Sequence, residues 1–173
     1  MHKNRNYFFS IVIAVWAFCW VTSYSPAHAA DEAAALTSPL IPLSGPSAEL
    51  TLGQFKGKVV LVDFWATWCI PCLRSFPFYQ SLQDKYGSDG FVVVAVNNED
   101  NTEKVKKFYA DRGVTYLVVK DKDNQLSHIL QPGKMPTCFI FDKQGKLVSM
   151  HEGFEGGDEE VITEMVEKVL GKK

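Results

Sequence analysis

Cysteine is scarce in this chain of 173 residues, which has only four. Cys19 lies in an apolar stretch near the amino terminus, and the others are Cys69, Cys72 and Cys138. One close pair and one odd thiol are too few for a disulfide scaffold, on which small secreted proteins without a large core depend. The sequence therefore predicts a fold held by its hydrophobic core.

The chain also lacks a charge imbalance, since 18 Lys and Arg residues stand against 20 Asp and Glu residues, for a net charge of -2. Strongly basic surfaces bind nucleic acid, and no such excess exists here. We therefore expect no nucleic-acid partner. Hydrophobic residues make up 46% of the sequence, which is enough apolar mass for one globular core.

The first thirty residues have the layout of a secretory leader. Lys3 and Arg5 precede an uncharged apolar run at residues 7–21, and the tripeptide AHA at residues 27–29 fits a small-x-small cleavage site. The run is short for a membrane span, which needs about 20 residues. The sequence predicts a signal peptide over residues 1–29. The alternative is an uncleaved anchor, and only in that case would the domain stay in contact with a membrane. The signal peptide and the anchor both predict export.

The rest of the chain divides into a linker and one domain. Residues 30–48 are rich in Ala, Ser and Pro and predict a linker without regular structure. Residues 49–173 alternate between apolar β-branched runs and helical patterns, and the run at residues 58–66 predicts a strand buried on both faces. The predicted order is strand, helix, strand, helix, strand, helix, hairpin, helix. This order predicts an α/β fold with a central mixed sheet and helices on both faces.

Cys69 and Cys72 lie where this first strand gives way to the first long helix. Free amide groups at a helix start stabilise a thiolate, so we expect the pKa of Cys69 to fall below its free value of about 8.5. Cys72 lies one turn further on the same side, within reach of Cys69, and Pro71 suits a first helical turn. The spacing predicts an attacking thiol and a resolving thiol for disulfide exchange.

Other chemistries use the same pair of residues. A zinc site needs four ligands, and besides the pair the sequence offers only His128, His151 and Cys138 as obvious candidates. Haem attachment needs a histidine directly after the second cysteine, where Leu73 stands. A purely structural disulfide and a metal-binding chaperone are further alternatives. The strand-then-helix placement favours redox chemistry, and we expect no metal.

The stretch VVLVDFWATWCIPC at residues 59–72, with Pro77 after it and MPT at residues 135–137, resembles the thioredoxin superfamily. The longer stretches LTLGQFKGKVVLVDFWATWC, VVVAVNNED and MPTCFIFDKQGKLV are most similar to the exported TlpA/ResA-type thiol-disulfide oxidoreductases. The similarity covers roughly residues 48–170. It implies a thioredoxin-like fold, dithiol–disulfide exchange as the activity, and protein disulfides as the substrate.

The resemblance also implies roles for single residues. Cys69 takes the place of the nucleophile and Cys72 that of the resolving thiol, so the redox-active disulfide Cys69–Cys72 serves in place of a bound cofactor. Trp68 flanks the site. Pro136 matches a cis-proline that faces the disulfide, and the backbone of Met135 is expected to pair with a substrate peptide.

Partners and location follow from the same resemblance. It implies client proteins with disulfides, a membrane thiol-electron carrier, and a place in the periplasm or on the outer face of the cytoplasmic membrane. The predicted direction is reduction of client disulfides. An oxidase or isomerase with the same site is the nearest rival, since the dipeptide between the cysteines does not fix the redox potential.

Two positions depart from the TlpA/ResA pattern. Ser75 stands where these proteins commonly have Glu, and Asp63 stands where they often have Asn. Asp63 instead matches the buried acid of cytosolic thioredoxins. Because it lies in an apolar strand, we expect a raised pKa and a role in taking the proton from Cys72; the alternative is an acid without a kinetic role. These departures weaken the narrower role of reducing apocytochrome c before haem attachment.

Cys138 is the odd thiol of the predicted domain. It lies in TCFIFD, a stretch that predicts one strand of the hairpin. We interpret it as a small apolar residue of a buried strand, because a free cysteine behaves as a small hydrophobic side chain. The alternative is a third redox thiol near Pro136.

Overall fold

In the computed structural model of the chain, residues 26–45 and 48–172 are described. Most of the predicted signal peptide, residues 1–25, lies outside these ranges, and so does Cys19. The leader, its cleavage and the alternative of an anchor therefore stay predictions. Within the described residues, no helix is both long enough and apolar enough to cross a membrane.

Helices and strands alternate over residues 59–141 in the described part of the chain. In order, the α-helices and strands are α1 (Pro26–Thr37), β1 (Leu40–Pro42), β2 (Val59–Phe64), α2 (Ile70–Tyr86), β3 (Phe91–Val96), α3 (Thr102–Ala110), β4 (Leu117–Asp121), α4 (Gln125–Leu130), β5 (Thr137–Phe141), β6 (Leu147–Glu152) and α5 (Asp158–Leu170). From β2 onward, this order is the one that the sequence predicts.

The strands form one mixed sheet in the order β1-β4-β3-β2-β5-β6. β2, β3 and β4 run parallel, because a crossover helix follows each of the first two. β5 returns antiparallel beside β2, and β6 completes the hairpin. β2 is therefore an inner strand, and the predicted α/β fold with a mixed sheet is confirmed.

β2 is buried on both faces, as its unbroken apolar sequence predicts. Leu61 and its neighbours on one face pack in a core layer with α2, α3 and α5. Val60, Val62 and Phe64 on the other face pack in a second layer with α1 and α4. Trp65, buried in the first of these layers, leads from the carboxyl end of β2 into the turn before α2, so the active-site turn rests on a packed core.

The prediction that residues 30–48 lack regular structure is wrong, because most of α1 and all of β1 lie there. Ala35 is fully buried in the layer that also contains α4, and the Glu32 carboxylate accepts a hydrogen bond from the Leu147 backbone N–H. Leu40 pairs with Asp121, so β1 lies at the edge of the sheet beside β4. The run of alanines favours a helix, and its packing on the sheet outweighs the Ser and Pro residues that predicted a linker.

Candidate active site

The cysteine pair lies at the amino-terminal end of α2. Cys69 is the residue that caps this helix, and the Cys72 backbone N–H donates a hydrogen bond to Cys69 Sγ over 3.3 Å. A disulfide joins Cys69 to Cys72, and Pro71 lies within the first turn. The predicted placement of the pair between β2 and α2 is confirmed, and the geometry permits reversible dithiol–disulfide exchange.

The other wall of the site comes from the loop before β5. The Met135–Pro136 peptide bond is cis, as the resemblance predicts. An open groove runs between this loop, at residues 132–135, and the stretch from Trp68 to Pro71. The structure thus brings Met135 and Trp68 to the two sides of Cys69. Pro136 is buried behind this groove, and its carbonyl accepts a hydrogen bond from the Gly153 N–H over 2.7 Å.

Large apolar side chains are exposed around the disulfide. The exposed fraction is 70% for Trp68, 71% for Ile70 and 38% for Met135, whereas Cys69 is only 4% exposed and Cys72 is fully buried. Such a patch of exposed apolar side chains is typical of a docking surface. Of the two cysteines, Cys69 is the one with surface in contact with solvent, which suits it for the first attack.

Asp63 is fully buried, and neither carboxylate oxygen has a hydrogen-bond partner among the described residues. Burial raises the pKa of Asp63 to about 8, and the nearby Tyr79 hydroxyl offsets part of this shift. The predicted rise of the Asp63 pKa is confirmed. Its role in catalysis stays a prediction.

Cys138 lies opposite Asp63 in the neighbouring strand β5 and is 1% exposed. Burial raises the pKa of Cys138 to about 12, and the negative charge of Asp63 adds to the rise. Cys138 therefore stays a protonated thiol at neutral pH. The interpretation of this residue as part of a buried strand is confirmed.

Ser75 is fully buried one turn after Cys72, and its hydroxyl donates a hydrogen bond of 2.9 Å to the Cys72 carbonyl. A serine hydroxyl does not ionise near neutral pH, so this position supplies no carboxylate to the site. Asp63 is therefore the fully buried carboxyl group that lies in the same core layer as the cysteine pair.

The histidines that were candidate zinc ligands lie apart from the cysteine pair. His128 belongs to α4, and His151 in β6 contacts Asp158, with 3.3 Å between Nε2 and Oδ2. In residues 26–45 and 48–172, no group of three or more His, Cys, Asp or Glu side chains could hold a metal ion.

One contact of the active-site turn is not predicted from the sequence. Glu99, three residues after the end of β3, accepts two hydrogen bonds from Thr67, one from its backbone N–H and one from its hydroxyl. Asn97 joins the same cluster. Polar residues at the carboxyl end of a parallel strand are a signal that could have drawn attention to this stretch, because the ends of such strands meet at one edge of the sheet.

The disulfide lies at the start of a helix that follows an inner parallel strand, and a cis-proline loop lies across a groove from it. This arrangement defines a thioredoxin-like thiol-disulfide oxidoreductase site. Comparison with known families agrees with this class. The family described as Redoxin matches residues 28–166, and the chain belongs to this family.

The chain is also similar to individual proteins. The chain is 35% identical over 105 residues to the thiol-disulfide oxidoreductase ResA of Geobacillus thermodenitrificans, a match that covers 61% of this chain and 60% of that one. It is 31% identical over 158 residues to the protein of the same name from Bacillus subtilis, with 88% of both chains covered. Among solved structures, a putative thiol:disulfide interchange protein DsbE from Chlorobium tepidum superposes with a TM-score of 0.71 and 36% identity, covering 78% of this chain and 95% of that one.

Proposed function

We propose that this protein is an exported reductase that opens disulfides in client proteins by exchange with Cys69 and Cys72. The observation that carries the proposal is the position of Cys69 at the start of α2, in a groove bordered by exposed apolar side chains. A helix start favours the thiolate, and an apolar groove favours an unfolded or extended segment of a client over a small polar molecule.

The first step is attack by Cys69. Its thiolate forms a bond to one sulfur of the client disulfide, the client S–S bond breaks, and the other client sulfur leaves as a thiolate. The result is a mixed disulfide between Cys69 and the client. The Cys72 N–H, which lies 3.3 Å from Cys69 Sγ, is placed to stabilise the negative charge before the attack.

The second step is resolution by Cys72. Its thiol loses a proton and attacks Cys69 Sγ, the mixed disulfide breaks, and the second client sulfur leaves as a thiolate. We assign the proton of Cys72 to Asp63, directly or through a water. With its pKa raised to about 8 by burial, Asp63 can both accept and release a proton near neutral pH.

Each turnover leaves Cys69 and Cys72 oxidised, so a reductant must return two electrons to the pair. The proposed source is a membrane carrier of thiol electrons, which suits an exported protein because the compartment outside the membrane oxidises thiols. The dipeptide Ile70-Pro71 adds no charged group beside Cys69. Because this dipeptide does not by itself fix the redox potential, the direction of exchange rests on the resemblance to the exported oxidoreductases.

The narrower client class that the resemblance implies is apocytochrome c before haem attachment. Ser75 and Asp63 depart from the usual residues at their positions, so the proposal extends to protein disulfides in general and includes apocytochrome c as one client. A peptide with an oxidised Cys-x-x-Cys-His sequence tests that client. Reduction no faster than that of an unrelated disulfide peptide would remove it as a preferred client.

The reduction potential of the Cys69–Cys72 couple tests the direction of the reaction. We expect a value near that of thioredoxin, about -270 mV, measured by equilibrium with dithiothreitol and reported by mass spectrometry after alkylation. A value above about -180 mV, in the range of protein disulfide isomerase and stronger oxidants, would show that the protein is an isomerase or oxidase instead.

A further inference from the structure

We propose that Glu99 is a positioning residue for the disulfide exchange, holding the turn that presents Cys69 to Cys72. The inference rests on the proposed function, because it concerns the step in which Cys72 closes the disulfide. Glu99 does not touch the cysteines, and it acts through Thr67, two residues before Cys69.

The contact has two arms. The Thr67 backbone N–H donates to Glu99 Oε2 over 2.6 Å, and the Thr67 hydroxyl donates to Oε1 over 2.7 Å. Both are short hydrogen bonds to a charged acceptor, the stronger kind in proteins. Two bonds to one residue fix both the position of Thr67 and its orientation.

The Glu99 carboxylate is itself fixed by further contacts. The Asn97 side-chain amide donates to Glu99 Oε2 over 3.1 Å, and the Glu99 backbone N–H donates to the Asn97 side-chain oxygen over 2.9 Å. Asn97 is fully buried and also donates to the Trp65 carbonyl. Lys104 Nζ on α3 lies 3.6 Å from Glu99 Oε1. The cluster therefore joins the turn after β2 to the end of β3 and to α3.

Glu99 is ionised at neutral pH. Burial alone would raise its pKa, but the hydrogen bonds from Thr67 and Asn97, with the charge of Lys104, outweigh burial and lower the pKa below its ordinary value. The other charged groups nearby are Lys120, whose Nζ lies 3.4 Å from the Glu99 backbone carbonyl, and Asp100, which pairs with Lys120. The two arms are thus present throughout the neutral pH range.

The turn needs this support most when the disulfide is open. In the oxidised protein the Cys69–Cys72 bond itself limits how far the turn can move. In the mixed disulfide that bond is absent, and the client pulls on Cys69 through its sulfur. The turn is then held by the Cys69 N–H, which donates to the Ala66 carbonyl over 3.1 Å, and by the two arms to Glu99. Because closure is an intramolecular attack, its rate depends on how accurately the two sulfurs are held.

A symmetrical aromatic disulfide that releases a coloured thiolate separates the two steps, since the first thiolate appears on attack and the second on closure. We expect Glu99→Ala, which removes both arms, to slow closure about tenfold and to leave attack within twofold. Thr67→Val removes only the hydroxyl arm and keeps the charge of Glu99, so a smaller slowing of closure is expected. Thr67→Ser retains the hydroxyl, so its rate of closure should match that of the unmodified protein.

The control is Glu103→Gln, an exposed acid on α3 whose partner is Lys106. Its attack and closure rates should match those of the unmodified protein. Circular dichroism checks that each variant is folded, and if Glu99→Ala does not fold, the comparison of Thr67→Val with Thr67→Ser decides the question. Closure at the control rate in Thr67→Val and in any folded Glu99→Ala would overturn the role of Glu99. An unmodified protein that releases no thiolate would instead overturn the proposed function.

Discussion

Asp63 and Cys138 lie directly opposite each other across β2 and β5, and both side chains are buried in the same core layer. Neither can ionise without placing a charge in an apolar layer, and each charge would oppose the other. The pKa of Asp63 is raised to about 8 and that of Cys138 to about 12, both mainly by burial. Asp63 is therefore the member of the pair that can exchange a proton near neutral pH.

Asp63→Asn should slow closure of the disulfide by Cys72 by about tenfold or more, because it removes the group that accepts the Cys72 proton. Attack by Cys69 should change little. Stopped-flow measurement of both steps between about pH 6 and pH 9 spans the raised pKa of Asp63. Equal closure rates in the two proteins over this range would leave Asp63 without a catalytic part.

The stability of the protein should depend on the ionisation of Asp63. The pKa of Asp63 is about 8 in the folded protein, whereas the ordinary value for an exposed side chain is 3.8, so between these pH values the folded state holds a proton that the unfolded state has lost. Stability therefore falls as the pH rises from about 4 to about 8, at most by about 1.4 kcal/mol per pH unit.

Asp63→Asn removes this dependence, so the variant should gain stability relative to the unmodified protein as the pH rises through that window. Urea unfolding at several pH values measures the difference. Asp84→Asn, at an exposed position of α2, is the matched control and should follow the unmodified protein. A difference between Asp63→Asn and the unmodified protein that stays constant with pH would contradict the raised pKa.

Met135→Ala should weaken the docking of protein substrates. Met135 is 38% exposed and borders the groove at Cys69, whereas Met150 is 50% exposed on β6 and does not line that groove. We expect the KM for insulin reduction to rise about fivefold in Met135→Ala with little change in kcat, since the apolar contact contributes to binding. Met150→Ala is the control, and equal KM values for the two variants would argue against docking beside Met135.

The sequence predicts the central part of the fold because that part depends on local patterns. β2 is continuous in apolar β-branched residues, and the change to a helical pattern after it places Cys69 at a helix start. The burial of Asp63 follows from the same pattern, since a single acid in a strand buried on both faces has no route to solvent. These features need no knowledge of distant contacts.

The features that the sequence does not predict depend on contacts between distant residues. Glu32 meets Leu147 across 115 positions, and Thr67 meets Glu99 across 32. Whether two such residues meet depends on sheet order and register, which a single sequence does not supply. α1 and the support of the active-site turn therefore become visible only in the folded chain.

Ala35→Glu tests whether α1 belongs to the folded domain. Ala35 is fully buried, so a glutamate there would place an unpaired charge in the core layer beneath α1. We expect the free energy of unfolding to fall by about 2–4 kcal/mol. Ala33→Glu, on the exposed side of the same helix, should cost less than about 0.5 kcal/mol. Equal and small losses in the two variants would mean that α1 does not contribute to the stability of the domain.

The most direct test of the account is to trap the mixed disulfide. Cys72→Ala removes the resolving thiol, so the variant should accumulate a covalent adduct with a disulfide-bonded substrate, and peptide mass spectrometry should locate that adduct on Cys69. Cys69→Ala should form no such adduct, because Cys72 is fully buried. Adducts found only on Cys138, or an equal yield from both variants, would contradict the assignment of Cys69 as the attacking thiol.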